Sequence, residues 1–376
     1  MQLIHRIALL FLLPFTAVAG VLPEDRADLL YHYYDGGGVT IDGPSLLVRK
    51  KFAEKYAVNA SYYIDMVSSA SIDVITTASP YDEERTQYGV GFEYLRGKVN
   101  YAASFSNSSE NDYEADTASL SISQDMFGDL TTVSLFFTRG WDDVTRRGDA
   151  AFADEVDRRI YGVDVSQVAT KNLILGFSFE TIAEEGFLNN PYRQVRFVDP
   201  DAALGYSYEA ERYPRTRTGN ALSARARWYL PYRAAFQADY RFYTDTWDIR
   251  SHTAEIAYTH PLDDEWTFDV HYRFNTQNEA EFYSDLFPRE DFQNFLARDK
   301  ELAAMQSHTL GFGVGYEFKP AWTDFLGKAA INLKYDRIRF DYDNFRDLRT
   351  TGVAPGTEPL YQFDADVIRL FFSGWF

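Results

Sequence analysis

Few residues in this chain are spaced for catalysis. The sequence contains six histidines, but none forms the HExxH pattern that places two zinc ligands on one helix face, and no GxSxG nucleophile turn occurs. The absence of cysteine excludes a thiolate metal site, a cysteine nucleophile, a disulfide scaffold and a lipid-modified cysteine. We therefore expect no catalytic residue and no cofactor, and predict that the protein is not an enzyme.

Carboxylates concentrate in two segments, "SNSSENDYEAD" at 106–116 and "WDDVTRRGDAAFADEVD" at 141–157. Hard cations such as Ca²⁺ prefer these oxygen ligands. The spacing does not match an EF-hand loop, however, and acidic surface loops are ordinarily just solvated. The sequence therefore predicts no specific metal site.

Charged residues also recur at every second position in the second half of the chain. Arg225 and Arg227 alternate with alanines, and Asp239 and Arg241 alternate with apolar residues across the "PYR" turn. This period puts the charges on one face of a strand pair, where Arg225 can lie opposite Asp239. Such a face can line a passage and filter solutes, or it can be a salt-bridge and water network that stiffens a wall. Both interpretations stay open.

The strands that would carry these charges are long and numerous. In "TQYGVGFEYLR", Tyr88, Val90 and Phe92 share one face, while Gly91 and Glu93 share the other, and strict alternation of this kind indicates a strand with one apolar and one polar face. We predict sixteen such strands, at 26–34, 42–51, 57–68, 86–96, 98–107, 114–124, 129–139, 158–168, 173–182, 219–230, 234–243, 250–260, 266–275, 307–318, 328–339 and 362–376.

Most of these strands run for about 10 residues, enough to cross a bilayer at a tilt. Tight turns alternate with long polar connections at 140–157, 183–218, 276–306 and 343–361. The aromatic content of 17% suits a protein that turns rings toward lipid. The predicted fold class is all-β: one transmembrane antiparallel β-barrel of about 16 strands, with short periplasmic turns and long extracellular loops.

The polar face of this barrel would line its lumen. The lumen-lining candidates are Glu93, Arg225, Arg227, Asp239, Arg241, Asp269, His271, Arg273, Lys334 and Asp336. Gly311, Gly313 and Gly315 share one strand parity and are predicted to be small lumen positions. The segment "MVSSASIDVITTASPYDEER" at 66–85 either folds inward as a constriction or extends a hairpin as an ordinary outer loop.

The two ends of the chain indicate where in the cell the protein is located. Residues 1–19 have the charged start, apolar run and small-residue site of a signal peptide, which leaves 20–376 as the barrel domain. The expected location is the outer membrane of a Gram-negative cell. The net charge of −19 argues against nucleic acid as a partner, because phosphate binding needs a basic face.

The last strand ends on an aromatic residue, which is unusual for an exposed terminus. Its predicted assembly signal consists of Ile368, Leu370, Phe372, Trp375 and Phe376. The expected partners are therefore outer-membrane lipid and the barrel assembly machinery. Trp375 stands beside Gly374, where an aromatic residue would be more usual.

Three segments carry a family resemblance: "LLYHYYDGGGVTIDGPSLLVRKKF", "YYIDMVSSASIDVITTASPYDEERTQYGVGFEYLRGK" and "SISQDMFGDLTTVSLFFTRGWDDVTRRGD". The chain resembles a bacterial family of outer-membrane β-barrels of unknown function, domain-of-unknown-function family 3570, over essentially all of 20–376. The resemblance implies no catalytic residue. It implies neighbouring genes for a small lipoprotein, a thioredoxin-like protein and a periplasmic flavin transferase, and hence a periplasmic lipoprotein or redox protein as a partner.

The leading functional expectation is a porin-like channel that passes small solutes or ions. One alternative is a non-conducting barrel that docks or sheathes a periplasmic or surface redox partner. A third is an outer-membrane hydrolase that uses His252 or His308, because both lie near predicted strand ends on the long-loop side.

Overall fold

The computed structural model describes residues 20–69 and 81–376. Within them the chain forms eighteen strands and one short 3-10 helix at Lys300–Leu302. The strands are β1 Arg26–Gly36, β2 Val39–Phe52, β3 Tyr56–Ser69, β4 Tyr81–Arg96, β5 Val99–Ser109, β6 Tyr113–Met126, β7 Thr131–Thr145, β8 Ala153–Thr170, β9 Leu173–Gly186, β10 Gln194–Val198, β11 Tyr206–Ala210, β12 Thr216–Tyr229, β13 Ala235–Asp245, β14 Arg250–Pro261, β15 Trp266–Gln277, β16 Met305–Phe318, β17 Lys328–Arg346 and β18 Leu360–Trp375.

Sixteen of these strands close into one barrel, in the ring order β1-β18-β17-β16-β15-β14-β13-β12-β9-β8-β7-β6-β5-β4-β3-β2. Every neighbouring pair is antiparallel, and the ring closes where Arg26 on β1 lies opposite Trp375 on β18. Closure removes free strand edges, so the backbone amides of the wall bond within it. The predicted fold class is confirmed, and each of the sixteen predicted strands corresponds to one barrel strand.

The alternation read from the sequence becomes an outer and an inner face. On β4, Tyr88, Val90 and Phe92 are exposed on the outside, whereas Glu93 on the inside is buried. The last strand follows the same rule, with Ile368 and Leu370 exposed on the outer face. An apolar outer surface of this extent is what lipid contact requires, and it would be a liability in water.

Several strands extend further than the sequence predicts. β17 continues to Arg346 instead of ending at 339, and β8 begins at Ala153 instead of 158. Near the predicted end of β17, outward-facing Arg337 and Arg339 replace apolar residues and pair with acids on β18. The hydrophobic alternation therefore stops above the apolar belt, while the backbone pairing does not.

Two strands lie outside the barrel. β10 and β11 form a separate antiparallel sheet in which Arg196 lies opposite Tyr208. They belong to the connection between β9 and β12, which the sequence predicted only as a long polar stretch. Both described ends of the chain lie on the side of the short turns, such as Gly97–Lys98 between β4 and β5.

Within the described residues, no helix has both the length and the apolar composition needed to span a membrane. The predicted signal peptide at 1–19 lies outside the described residues. The middle of the predicted constriction, residues 70–80, does so as well.

Candidate functional site: a charged lumen under a folded cap

All ten lumen-lining candidates lie on the inner face of the barrel. On each strand, the candidates alternate with exposed apolar residues of the outer face. On β12, for example, Arg225 faces inward, whereas Leu222 and Trp228 are exposed on the outside. The deepest of the ten are Asp336 and Glu93, with 6% and 9% of their surface exposed. The candidates therefore share one surface, but they fall into separate groups on it.

The first group spans β9, β12 and β13. Arg225 lies opposite Asp239, in the register expected from the sequence, and its Nε is 2.5 Å from Asp239 Oδ1. Gln237 donates to the other Asp239 oxygen at 2.6 Å and accepts from Arg227 Nε at 2.9 Å. Arg241 pairs with Glu180 on β9 at 3.2 Å. The wall here carries a ladder of cross-strand polar pairs, which brings four of the candidates together.

The second group lies over the glycines of β16. His271 on β15 and Asp336 on β17 approach to 3.3 Å across Gly311, and Arg369 on β18 donates to Asp336. A Cβ at Gly311 would lie 2.0 Å from His271 Cε1 and 2.3 Å from Asp336 Oδ1. The absence of a side chain at this position therefore lets charges from two strands meet over a third.

The same arrangement continues along β16. Asp269 and Lys334 flank Gly313 from either side, at 3.2 Å and 3.6 Å from the position of a Cβ. Arg273, further along β15, pairs instead with Glu255 on β14 at 2.6 Å. The inner glycines therefore serve as space for longer polar neighbours, as well as being small lumen positions.

The opposite wall is chemically different. The inner face of β3 to β6 is mostly small and neutral, and includes Asn59, Ser61, Gly89, Gly91, Ala102, Ser104, Ser106, Ser119 and Ser121. Glu93 is the one lumen candidate on this wall, and it accepts from Asn100 at 3.1 Å. The lumen therefore has a charged side and a small hydroxyl-rich side.

Three long connections fold together on the outer side of the barrel, at residues 187–215, 278–304 and 347–359, and we call them the cap. Apolar clusters hold the cap to itself and to the strand ends. Phe287 and Leu296 pack with Val195 under the small sheet, and Phe282 packs with Trp247 from the β13–β14 turn. These loops therefore have a core of their own.

Arg196 is the polar centre of the cap and has no exposed surface. Its Nη1 is 2.6 Å from Glu358 Oε1, and its Nε donates to the Asp285 carbonyl at 2.9 Å. Arg298 reaches the Asp285 carboxylate at 3.0 Å from the other side. A buried charge is tolerated only when it is paired and hydrogen-bonded, and this cluster meets that condition.

This cluster ties loops from far-apart sides of the ring. Arg196 belongs to the β9–β12 connection, and Glu358 belongs to the β17–β18 connection. In a ring of sixteen strands, two strands eight positions apart are directly opposite. Here β9 lies seven positions from β18, and β12 lies five positions from β17. The cap therefore spans the outer mouth of the barrel.

A second buried polar group lies in the cap near Tyr213. Glu211 accepts from the Tyr213 hydroxyl at 2.8 Å and from the Arg298 amide at 2.7 Å. Burial, followed by the charge of Asp299, raises the pKa of Glu211 to about 7. Arg193 pairs with Asp299. This carboxyl consequently changes charge near neutral pH.

Sequence reasoning missed the cap residues Arg196, Glu211, Asp285, Arg298 and Glu358. A signal was present, because "QVRFV" alternates over its first four residues and "YSYEA" over all five, inside the long polar stretch. Nothing local could identify Asp285 and Glu358 as partners, since they lie 89 and 162 residues from Arg196.

The two histidines considered for hydrolysis face outward. His252 Nδ1 lies 2.7 Å from the Tyr240 hydroxyl, and His308 Nδ1 lies 2.7 Å from the Tyr272 hydroxyl. Both pairs lie on the outer face at the long-loop ends of their strands. Tyrosine at that level is typical of a membrane interface, and each histidine is the hydrogen-bond partner of such a tyrosine.

The C-terminal strand completes the wall. The ring of Phe376 stacks on Phe325 with centroids 5.0 Å apart, and Lys50 Nζ lies 5.0 Å from the centroid of the same ring. The Nζ of Lys328 lies 4.5 Å from the ring centroid of Trp375. Of the predicted assembly residues, Trp375 and Phe376 therefore lie at the short-turn rim, whereas Ile368 and Leu370 lie further along β18 on its exposed outer face.

Comparisons with known proteins agree with this architecture. Residues 150–327 match the family described as "Protein of unknown function (DUF3570)". The match confirms the family predicted from the sequence, although it begins after the three segments that carry the resemblance and covers less than 20–376. No curated protein matches the chain.

Among solved structures, a bacterial polysaccharide outer membrane secretin has a TM-score of 0.50 at 11% identity, covering 94% of this chain and 100% of that one. A Pseudomonas aeruginosa FadL homologue has a TM-score of 0.46 at 10% identity, with coverage of 94% and 91%. OccD3 (OpdP) of Pseudomonas aeruginosa has 0.45 at 9%, with coverage of 94% and 92%. Residues 150–327 therefore match the DUF3570 family, and the fold of the chain is a sixteen-stranded antiparallel barrel that resembles those of outer-membrane proteins.

Proposed function

We propose that this protein is a channel in the outer membrane of a Gram-negative cell, and that it passes small polar solutes or ions. The observation that carries the proposal is the lumen face itself. A ladder of charges on β9 and β12 to β18 faces a small hydroxyl-rich wall on β3 to β6. Barrels of about sixteen strands are wide enough to hold a passage, and transverse charge is a means of selecting ions.

Two lumen cations support a role beyond stiffening the wall. Arg227 bonds Gln237, and Lys334 lies beside Gly313. Among the described residues, neither side chain has a carboxylate partner within the 4.0 Å that defines an ion pair. A purely structural network would be expected to neutralise such charges, whereas a solute filter can use them.

The cap supplies the means of control. The Arg196–Glu358 pair ties loops together across the outer mouth. A solute can therefore enter the lumen only around the cap or after the cap has opened. The expected behaviour is therefore small or intermittent conductance in the wild type and larger conductance once the pair is broken.

Planar bilayers containing the purified full chain test this proposal. We expect discrete conductance steps, and a shift of the reversal potential toward cations in Arg225→Gln and Arg227→Gln. Arg337→Gln is the matched control, because Arg337 faces outward and should leave selectivity unchanged. Absence of conductance in both the wild type and Arg196→Ala would overturn the proposal that the protein is a channel.

A non-conducting barrel that docks or sheathes a periplasmic or surface redox partner is the second proposal, and the cap favours it because a covered outer mouth limits passage. A silent bilayer together with co-purification of a periplasmic partner is the outcome that this alternative expects. The third proposal, hydrolysis, requires lipid or peptide cleavage that is lost in His252→Ala or His308→Ala.

A further inference from the structure

Three carboxylates converge beside the cap, at the outer ends of β4 and of the β5–β6 hairpin. Glu83 comes from β4, and Glu110 and Asp112 come from the hairpin loop. Each offers one oxygen, and these oxygens all lie within 4.8 Å of one another. Like charges at this separation repel, so the arrangement requires a compensating interaction.

The burial of these groups points to a ligand. Asp112 is only 6% exposed, and its Oδ1 has no hydrogen-bond partner among the described residues. Glu110 Oε2 is likewise buried without a partner in that part of the chain. Unsatisfied buried acceptors are uncommon in folded proteins, and an ion is one of the standard explanations.

Arg85, the basic residue of the neighbouring lumen wall, acts on Glu110 through its charge but hydrogen-bonds none of the three carboxylates among the described residues. Arg85 donates to Ser108 at 3.1 Å and to Gln87 at 2.8 Å, and its Nη1 lies 3.9 Å from Asp65. Its guanidinium is therefore committed to neighbours on the lumen side.

The backbone holds the three carboxylates in place. The Asn111 amide donates to Glu83 Oε1 at 3.3 Å, which joins the two elements. The Thr145 amide donates to the Asp112 carbonyl at 2.8 Å, and the Glu110 amide donates to the Tyr113 carbonyl at 2.8 Å. The convergence is consequently a property of the fold and not of mobile side chains.

We infer that Glu83, Glu110 and Asp112 form a Ca²⁺ site on the outer side of the barrel. All three ligands are hard carboxylate oxygens, which Ca²⁺ prefers, and they contain no nitrogen or sulfur donor that would select a transition metal. Ca²⁺ takes six to eight oxygens in flexible geometry, so water would complete the shell.

The site also touches the cap. The Tyr192 hydroxyl, in the β9–β12 connection, accepts from the Arg147 amide at 2.6 Å and hydrogen-bonds the Asp112 carboxylate. An ion on Asp112 would therefore join β4, the β5–β6 hairpin and the edge of the cap. The Arg196–Glu358 pair holds the cap toward β17 and β18, and the ion would hold it toward β5.

Terbium luminescence on the detergent-purified full chain tests the site, because Tb³⁺ takes the ligands of Ca²⁺ and is sensitised by nearby tyrosine. The wild type should give a saturable signal that Ca²⁺ displaces. Asp112→Asn and Glu110→Gln should each weaken Tb³⁺ binding by at least about tenfold, since ligand charge sets the affinity of such sites. The matched control is Glu54→Gln, in a short turn with its side chain 88% exposed, which should bind as the wild type does.

Thermal melting distinguishes a variant that has lost the ion from a variant that has failed to fold. Without Ca²⁺, Asp112→Asn should melt no lower than the wild type because it relieves repulsion, and added Ca²⁺ should raise the melting temperature of the wild type only. A wild type with no Ca²⁺-displaceable signal would overturn the inference. Wild-type affinity in both ligand variants would overturn it as well.

Discussion

Arg196 and Glu358 lie 162 residues apart in the chain and pair at 2.6 Å inside the cap, with no exposed surface on the arginine. This pair joins a loop on one side of the sixteen-strand ring to a loop near the opposite side. The strength of this tether decides whether the cap behaves as a fixed cover or as a gate.

Arg196→Ala should release the cap without dissolving the barrel. The substitution leaves the buried Glu358 carboxylate without its ion-pair partner and leaves Asp285 with Arg298 alone. Breaking a buried pair in this way typically costs about 3–5 kcal/mol. Hydrogen exchange should therefore accelerate in 194–210 and 347–359, while barrel strands keep their protection and the heat-dependent gel shift remains. Arg349→Ala is the control, because Arg349 is half-exposed and its one ion pair within the described residues is with nearby Asp347. Equal exchange in the two variants would show that the buried pair is not the tether.

The cap should become more stable as the pH falls from neutral. Burial raises the pKa of Glu211 to about 7, above its value in the unfolded chain, so the folded protein binds the proton more tightly. Stability then rises as the pH drops through about 7 and levels off near the unfolded pKa, a change on the order of 3 kcal/mol. Hydrogen exchange of the cap between pH 5 and pH 8 measures this slope. Glu211→Gln should flatten the slope, and an unchanged slope in that variant would assign the effect to another group.

A methyl group at Gly311 should be harmful, although alanine is ordinarily acceptable in a strand. It would lie 2.0 Å from His271 and 2.3 Å from Asp336, so both side chains must move and Arg369 loses its placement. We expect Gly311→Ala to destabilise the barrel by about 1–3 kcal/mol, the usual cost of overpacking. The unfolding midpoint in urea with lipid vesicles measures the effect.

Gly176→Ala is the matched control for that experiment. Gly176 also faces the lumen, but the nearest atom to its added methyl group is Arg225 Cβ at 3.6 Å, which is ordinary contact. We expect little change there. Similar midpoints for the two variants would mean that His271 and Asp336 rearrange freely.

Phe376→Ala should reduce the fraction of chains inserted in the outer membrane. Phe325→Ala removes the same ring stack but keeps the terminal aromatic residue, so it separates assembly from packing. Membrane fractionation with unheated gels counts the folded fraction of each variant. If Phe376 is read by the assembly machinery, only its own variant should lose insertion. An equal loss in both variants would reduce its role to packing at the rim.

The strands were predictable because their determinant is local. A residue such as Phe92 or Leu370 must face lipid and its neighbour must not, so alternation is written into every strand, and sixteen repetitions of it identify a barrel. Registers set by tight turns are local too, which is why Arg225 could be matched with Asp239 across a short connection.

The cap depended on contacts that no local pattern encodes. Burial of Arg196 is possible only because Asp285 and Glu358 arrive from two other loops, and each of those loops is polar and irregular by itself. In the same way, Glu83 meets Glu110 and Asp112 only after β4 and the β5–β6 hairpin are paired. The sequence by itself determined the wall, since lipid contact acts on every second residue. Only the tertiary structure decided what covers the mouth, because the burial of a charge depends on the partners that the fold brings to it.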